Sequence, residues 1–143
     1  VPIELPTFEN SKGGMFLLNT GRARRTEPLV SLFLEKCKVD TFQDLCENEL
    51  LNVTNHCIEY FLKSDIKNLK TNFKNLSEIQ YSHMLEMIPK LFRPIWKDGL
   101  DTNAFYLKLC GAGGGGFLLG VTDDFSVAKK YLSGLEIRPI IYF

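Results

Sequence analysis

Apolar residues recur along the chain with two periods, and the switch between them separates helical stretches from extended ones. Met15 to Thr20 form a short apolar run after Gly13-Gly14 and before Gly21, the form of a buried strand. Leu29, Val30, Phe33, Leu34 and Cys37 then return at helical spacing behind Thr26, which can cap the helix, and Pro28, which a first turn tolerates. This first helix is expected to end near Lys38. Thr41 followed three residues later by Asp44 resembles a capping box, and Leu50, Thr54, Cys57, Ile58, Phe61 and Leu62 lie along one face of a longer second helix. Ile66, Leu69, Phe73 and Leu76 predict a third, extending to Met87 before Pro89 stops or bends it. Trp96 is placed in a short helix and Asp98-Gly99 in a turn.

Beyond that turn the period becomes two. Phe105, Leu107 and Leu109 alternate with Tyr106, Lys108 and Cys110, and a second apolar run follows at Phe117, Leu118, Leu119 and Val121. Asp123 or Asp124 can cap a helix carrying Phe125, Val127, Ala128, Tyr131 and Leu132, which Gly134 ends before a last strand from Ile137 to Phe143. Strand, helices, strand, strand, helix, strand is the order of a split βαβ, ferredoxin-like α+β fold with additional helices in the first crossover. Its antiparallel sheet is expected to be covered on one face.

Composition narrows the partners. The chain has 143 residues, enough for one core and too few for two sizeable domains. Seventeen basic and seventeen acidic residues give no net charge, which argues against nucleic acid as a partner. No apolar run approaches the roughly 20 residues a bilayer requires, and no signal-peptide pattern opens the chain, so a cytoplasmic location and no membrane partner are expected. Val1 and the extended Val-Pro-Ile-Glu-Leu-Pro start suggest a cut end. Cys37, Cys46, Cys57 and Cys110 form no CxxC pair, and His56 and His83 complete no zinc-like spacing, so reduced structural thiols and no metal site are expected. Two glycosylation sequons, at Asn52 and Asn75, fall inside helical patterns and are discounted.

One segment has a composition that folding does not demand. In Lys108-Leu109-Cys110-Gly111-Ala112-Gly113-Gly114-Gly115-Gly116, five of the last six residues are glycine. Each glycine forfeits roughly 0.5 to 1 kcal/mol relative to alanine in regular structure. Bare backbone can form a concave nest of N–H donors for phosphate, or let another loop approach closely. A permissive hairpin turn is the plainer alternative, and a flexible linker fits poorly between two apolar strands. A Walker loop would need a terminal Gly-Lys-Ser/Thr, and a dinucleotide fingerprint a following helix and a downstream acid; neither is present.

Lys108 to Gly116 resembles the third conserved motif, KxTGAGGGG, of the superfamily of galactokinase, homoserine kinase, mevalonate kinase and phosphomevalonate kinase (GHMP kinases). Leu18-Asn19-Thr20-Gly21-Arg22-Ala23-Arg24-Arg25-Thr26, continued by Leu29-Val30, is similar to the segment opening the C-terminal domain of mevalonate kinases. The resemblance spans the chain, and that domain has a ferredoxin-like topology. It implies transfer of the γ-phosphoryl group of ATP, with Mg2+, to the hydroxyl of a small acceptor, mevalonate first, in isoprenoid precursor synthesis. It also implies an N-terminal kinase half as partner. By analogy Gly111, Ala112, Gly113, Gly114, Gly115 and Gly116 would line the cleft, with Arg24 and Thr26 near the acceptor or transferred phosphate.

Plainer readings stand beside these. Arg24 and Arg25 suit a solvated basic loop, Thr26 a helix cap, and Lys108 either an exposed strand lysine or a support for the loop. Cys110 departs from the family's Thr or Ser and removes a hydroxyl donor. The Pro-x-x-x-Gly-Leu-Gly-Ser-Ser-Ala nucleotide loop, the lysine-bearing first motif and the N-terminal acidic residue do not occur in these 143 residues. No catalytic residue is therefore assigned, and the chain alone is expected to be inactive. The alternatives are another GHMP kinase, for a sugar or phosphomevalonate, or a non-catalytic ferredoxin-like binding or regulatory module.

Overall fold

Four strands form one antiparallel sheet in the order β2-β3-β1-β4: β1 Gly14–Asn19, β2 Tyr106–Leu109, β3 Phe117–Thr122 and β4 Ile137–Tyr142. The computed structural model describes residues 11–21, 26–110 and 116–143, without the side chains of Thr26 and Glu27. With β1 and β3 central and the crossovers carrying helices, the fold is the expected α+β, ferredoxin-like arrangement. Among the described residues, five α-helices occupy the first crossover: α1 Thr26–Cys37, α2 Asp40–Asp44, α3 Leu51–Leu62, α4 Ile66–His83 and α5 Arg93–Thr102. A sixth, α6 Phe125–Tyr131, lies in the second.

Strand alternation divides the apolar residues between the two sheet faces. Phe16, Leu18, Leu107, Leu109 and Leu118 join Trp96 of α5 and Phe125, Ala128 and Leu132 at α6 in the main core. Gly120 pairs with Phe16 across β1 and β3, and a Cβ there would collide with the phenyl ring, so its missing side chain makes room for that ring. The opposite face carries Met15, Tyr106, Leu119 and Val121, which pack with Cys57, Leu69 and Phe73 of α3 and α4. The expectation of a sheet covered on one face is therefore corrected. The α3–α4 hairpin covers part of the second face and leaves an apolar groove of about 690 Å³ among Met15, Ile58, Phe61, Leu62 and Ile140.

α4 also closes an edge of the sheet. β2 is an edge strand, whose unpaired backbone groups invite other chains. The carboxamide oxygen of Gln80 accepts the Leu109 N–H at 2.9 Å, and the Trp96 indole donates to the Ser77 carbonyl at 3.1 Å, tying α4 to β2 and α5.

Several boundaries differ from the periodic reading. In α1 the covered stripe is Leu29, Leu32, Phe33 and Cys37, whereas Val30 and Leu34 are exposed. Thr41 is not a cap: Val39 occupies that position with no side-chain bond, and Thr41 lies inside α2. The second helix is continuous in backbone but contains a π-helical stretch, Leu45–Leu50, between α2 and α3. α4 is capped by Asp65, whose side chain accepts the Asn68 N–H, and ends at His83; Leu85–Met87 form a separate 3₁₀ turn. Asp98-Gly99 lies inside α5 rather than in a turn, and glycine is needed there because a Cβ on Gly99 would stand 2.5 Å from the Phe105 carbonyl oxygen where α5 rests on the strand that follows. Asp124, not Asp123, caps α6 by accepting the Ser126 N–H at 2.8 Å.

Candidate functional site

The C-terminal ends of β1 and β2 and the N-terminal ends of β3 and β4 lie at one end of the sheet, as antiparallel pairing requires. Asn19 stands opposite Phe117, Leu109 opposite Leu118, and Leu18 opposite Ile137. The glycine segment leaves β2 and enters β3 at this end, and the Asn19-Thr20 segment leaves β1 beside it.

Thr20 joins the two. Its backbone N–H donates to the Gly116 carbonyl at 2.8 Å, and its hydroxyl donates to the same oxygen at 3.0 Å, across 96 positions of sequence. Two donors on one carbonyl hold the last glycine of the run in a defined place. Gly116 has φ +83°, a left-handed conformation that glycine adopts at little cost. Asn19 completes the corner: its side-chain oxygen accepts the Gly21 N–H at 2.8 Å, and its amide donates to a Glu136 carboxylate oxygen at 3.0 Å. The Asn19 N–H also donates to the Glu136 carbonyl at 3.0 Å.

Asn19, Thr20 and Glu136 were not among the candidate site residues. Asn19 and Thr20 were legible, as the polar end of an apolar strand. Glu136 carried no local signal, because only the β1–β4 register brings it to this corner.

The remaining candidates divide. Gly111, Ala112, Gly113, Gly114, Gly115 and Arg24 lie outside the described residues. Thr26 is the first residue of α1, so its backbone is helical; the cap expected of its side chain also lies outside the described residues. Cys110 follows β2 directly and is half-buried. Lys108 stands on the groove side of β2, opposite Leu119, and its ammonium donates to the Leu109 carbonyl at 2.8 Å. It therefore bonds to the strand immediately before the glycine segment. Lys108 also pulls the Cys57 thiol slightly down, although burial dominates and pushes that thiol up to about 11.

No family model and no curated protein matches the chain. What can be said of function rests on the residues and their geometry. Among the described residues, no group of three or more His, Cys, Asp or Glu stands close enough to hold a metal ion. No described helix is long and apolar enough to cross a membrane. Chemically, the corner offers a backbone turn, a glycine terminus held by Thr20, and one exposed carboxylate already engaged by Asn19.

Proposed function

We propose that this chain is the C-terminal, acceptor-side domain of an ATP-dependent small-molecule kinase of the GHMP superfamily, most similar to mevalonate kinase. The observation that carries the reading is the pair of hydrogen bonds from Thr20 to Gly116. They join the segment leading to Arg24 and Thr26 with the glycine segment, the two stretches on which the resemblance rests. The ferredoxin-like topology supports it as well.

In this reading the backbone of Gly111 to Gly116 and the Arg24 guanidinium stabilise charge spread over the transferred phosphoryl group, the main contribution phosphoryl transfer asks of a protein. A planar guanidinium suits phosphate oxygens through paired donors. Thr20 acts through Gly116 by holding the end of the loop. ATP and Mg2+ supply the phosphoryl group and offset its charge; their principal ligands belong to the N-terminal half, as does the base that activates the mevalonate hydroxyl. A non-catalytic binding module is the second reading, favoured by Cys110 where the family has a hydroxyl.

Coupled-assay kinetics with ATP and mevalonate test this. The 143-residue chain alone should release no ADP, while the chain joined to an N-terminal half bearing the Gly-Leu-Gly-Ser-Ser loop should do so. In that complete enzyme Arg24→Ala and Arg24→Lys should each lower kcat/KM with little change in Tm, and Thr26→Ser should retain most activity. Mevalonate-dependent turnover by the chain alone would sink the domain assignment. An inactive complete enzyme would favour the binding module, and wild-type kinetics in both Arg24 variants would remove Arg24 from the site.

A further inference from the structure

We infer that the groove between the α3–α4 hairpin and the second sheet face binds one fatty acid anion, its carboxylate on the Lys108 ammonium and its hydrocarbon chain along the apolar floor. The groove encloses about 690 Å³, and small-molecule sites usually fall between about 300 and 1,000 Å³. Its lining is hydrocarbon apart from Thr54, Cys57 and Lys108.

The floor crosses all four strands, from Lys108 of β2 through Leu119 of β3 and Met15 of β1 to Ile140 of β4. Three inter-strand steps of about 4.8 Å make that span about 14 Å, close to the length of an extended dodecanoate chain. Ile58 and Leu62, one turn apart on α3, line the groove and are exposed, as is Ile140. Exposed aliphatic side chains gathered around one recess, rather than scattered singly, mark a binding surface. Lys108 and Ile140 belong to opposite edge strands, so the groove is charged toward one edge of the sheet and apolar toward the other.

Charge selects the occupant. Among the described residues lining the groove, Lys108 alone is charged, and no described carboxylate pairs with it. Its ammonium gives one N–H to the Leu109 carbonyl at 2.8 Å, which leaves two donors for a ligand. The other polar groups offer less: the Thr54 hydroxyl donates to the Leu50 carbonyl at 2.8 Å, and burial keeps the Cys57 thiol protonated. Lys108 acts on that thiol electrostatically, so its field extends into the groove. One cation at the end of an apolar trough matches one anionic head on a hydrocarbon chain. A neutral oil leaves the half-buried ammonium without a counter-ion, a cationic amphiphile opposes it, and a doubly charged head brings one charge too many.

The test titrates the methyl-labelled 143-residue chain with dodecanoate, below its micelle-forming concentration, and follows it by NMR. One site should saturate, with shifts at Met15, Ile58, Leu62 and Ile140 and none at Val30 and Leu34, which are exposed on α1. Each methylene removed from the chain should weaken binding about fourfold. Dodecanol and dodecyltrimethylammonium should bind about tenfold more weakly or worse. Lys108→Met keeps the side-chain length without the charge, and should bring dodecanoate to the affinity of dodecanol while leaving dodecanol unchanged. Equal affinities for dodecanoate and dodecanol in the wild type, undiminished dodecanoate binding in Lys108→Met, or shifts that never saturate overturn the inference. So does a chain already dimeric whose same methyls shift on dilution, because a second copy then fills the groove. The wild-type ligand series depends on no variant folding. Neither nucleotide nor an N-terminal half enters the measurement, so its failure leaves the kinase reading untouched.

Discussion

The Cys57 thiol is 9% exposed, between α3 and the second sheet face, and burial raises it from 9.0 to about 11 against a smaller opposing pull from Lys108. The folded chain therefore holds this proton more tightly than the unfolded one. Its contribution to stability is complete below pH about 9 and is lost as pH rises toward 11. Tyr106, raised by burial and then by Glu78, acts in the same direction. Melts across this range should show Tm falling more steeply in wild type than in Cys57→Ala, which keeps Tyr106 and lacks the thiol; equal slopes would refute the account. Residue by residue, the covered positions of the strands were readable because alternate side chains must face opposite ways: Phe105, Leu107 and Leu109 are all buried. Val30 and Leu34 were not, since an apolar residue flanking a helical stripe looks the same in sequence whether or not a neighbour covers it. Both are exposed. Arg24 and Gly111 to Gly115 stood out in the sequence as basic and glycine-rich segments. Glu136, the partner of Asn19, did not, because it reaches the corner through β-sheet register alone.

Gln80 shows what an element needs beyond its own periodicity. Its side chain, 7% exposed, supplies the acceptor that the edge of β2 lacks at Leu109. Gln80→Met keeps the length and removes the acceptor, stranding a buried N–H. The expected cost is about 1–3 kcal/mol, read as a lower midpoint in denaturant unfolding. An unchanged midpoint would mean that water or a backbone shift satisfies the amide. A polar residue on the buried face of a helix would ordinarily weaken that helix assignment; here it is the joint between helix and sheet. Other elements were misjudged for comparable reasons. Gly99 reads as a turn residue, yet it lies inside a helix, at a point where Phe105 leaves no room for a larger side chain. Thr41 has the spacing of a capping box, but the helix begins one residue before it. The π-helical stretch at Leu45–Leu50 breaks no local rule that the sequence displays.

At the scale of the molecule, the two sheet faces should differ in stability. β1 is bonded on both sides, to β3 and β4, and its Phe16 and Leu18 are fully buried. α3 borders the groove and exposes Ile58 at 54% and Leu62 at 51%. Native-state hydrogen exchange should therefore find the slowest amides in β1 and β3, with α3 opening at lower free energy. If α3 amides outlast those of β1, the groove is covered in solution. The sequence by itself determined the order and type of the elements, and with them the ferredoxin-like topology. Period-two and helical spacing are local consequences of backbone geometry, and the rules of strand connection leave few ways to join them. The tertiary structure alone decided which face each helix covers, that α3 and α4 rest on the second face, and that Thr20 holds Gly116. Those outcomes depend on register and on contacts between residues far apart in the chain. Local spacing records such contacts only where a glycine, such as Gly120 opposite Phe16, has made room for one.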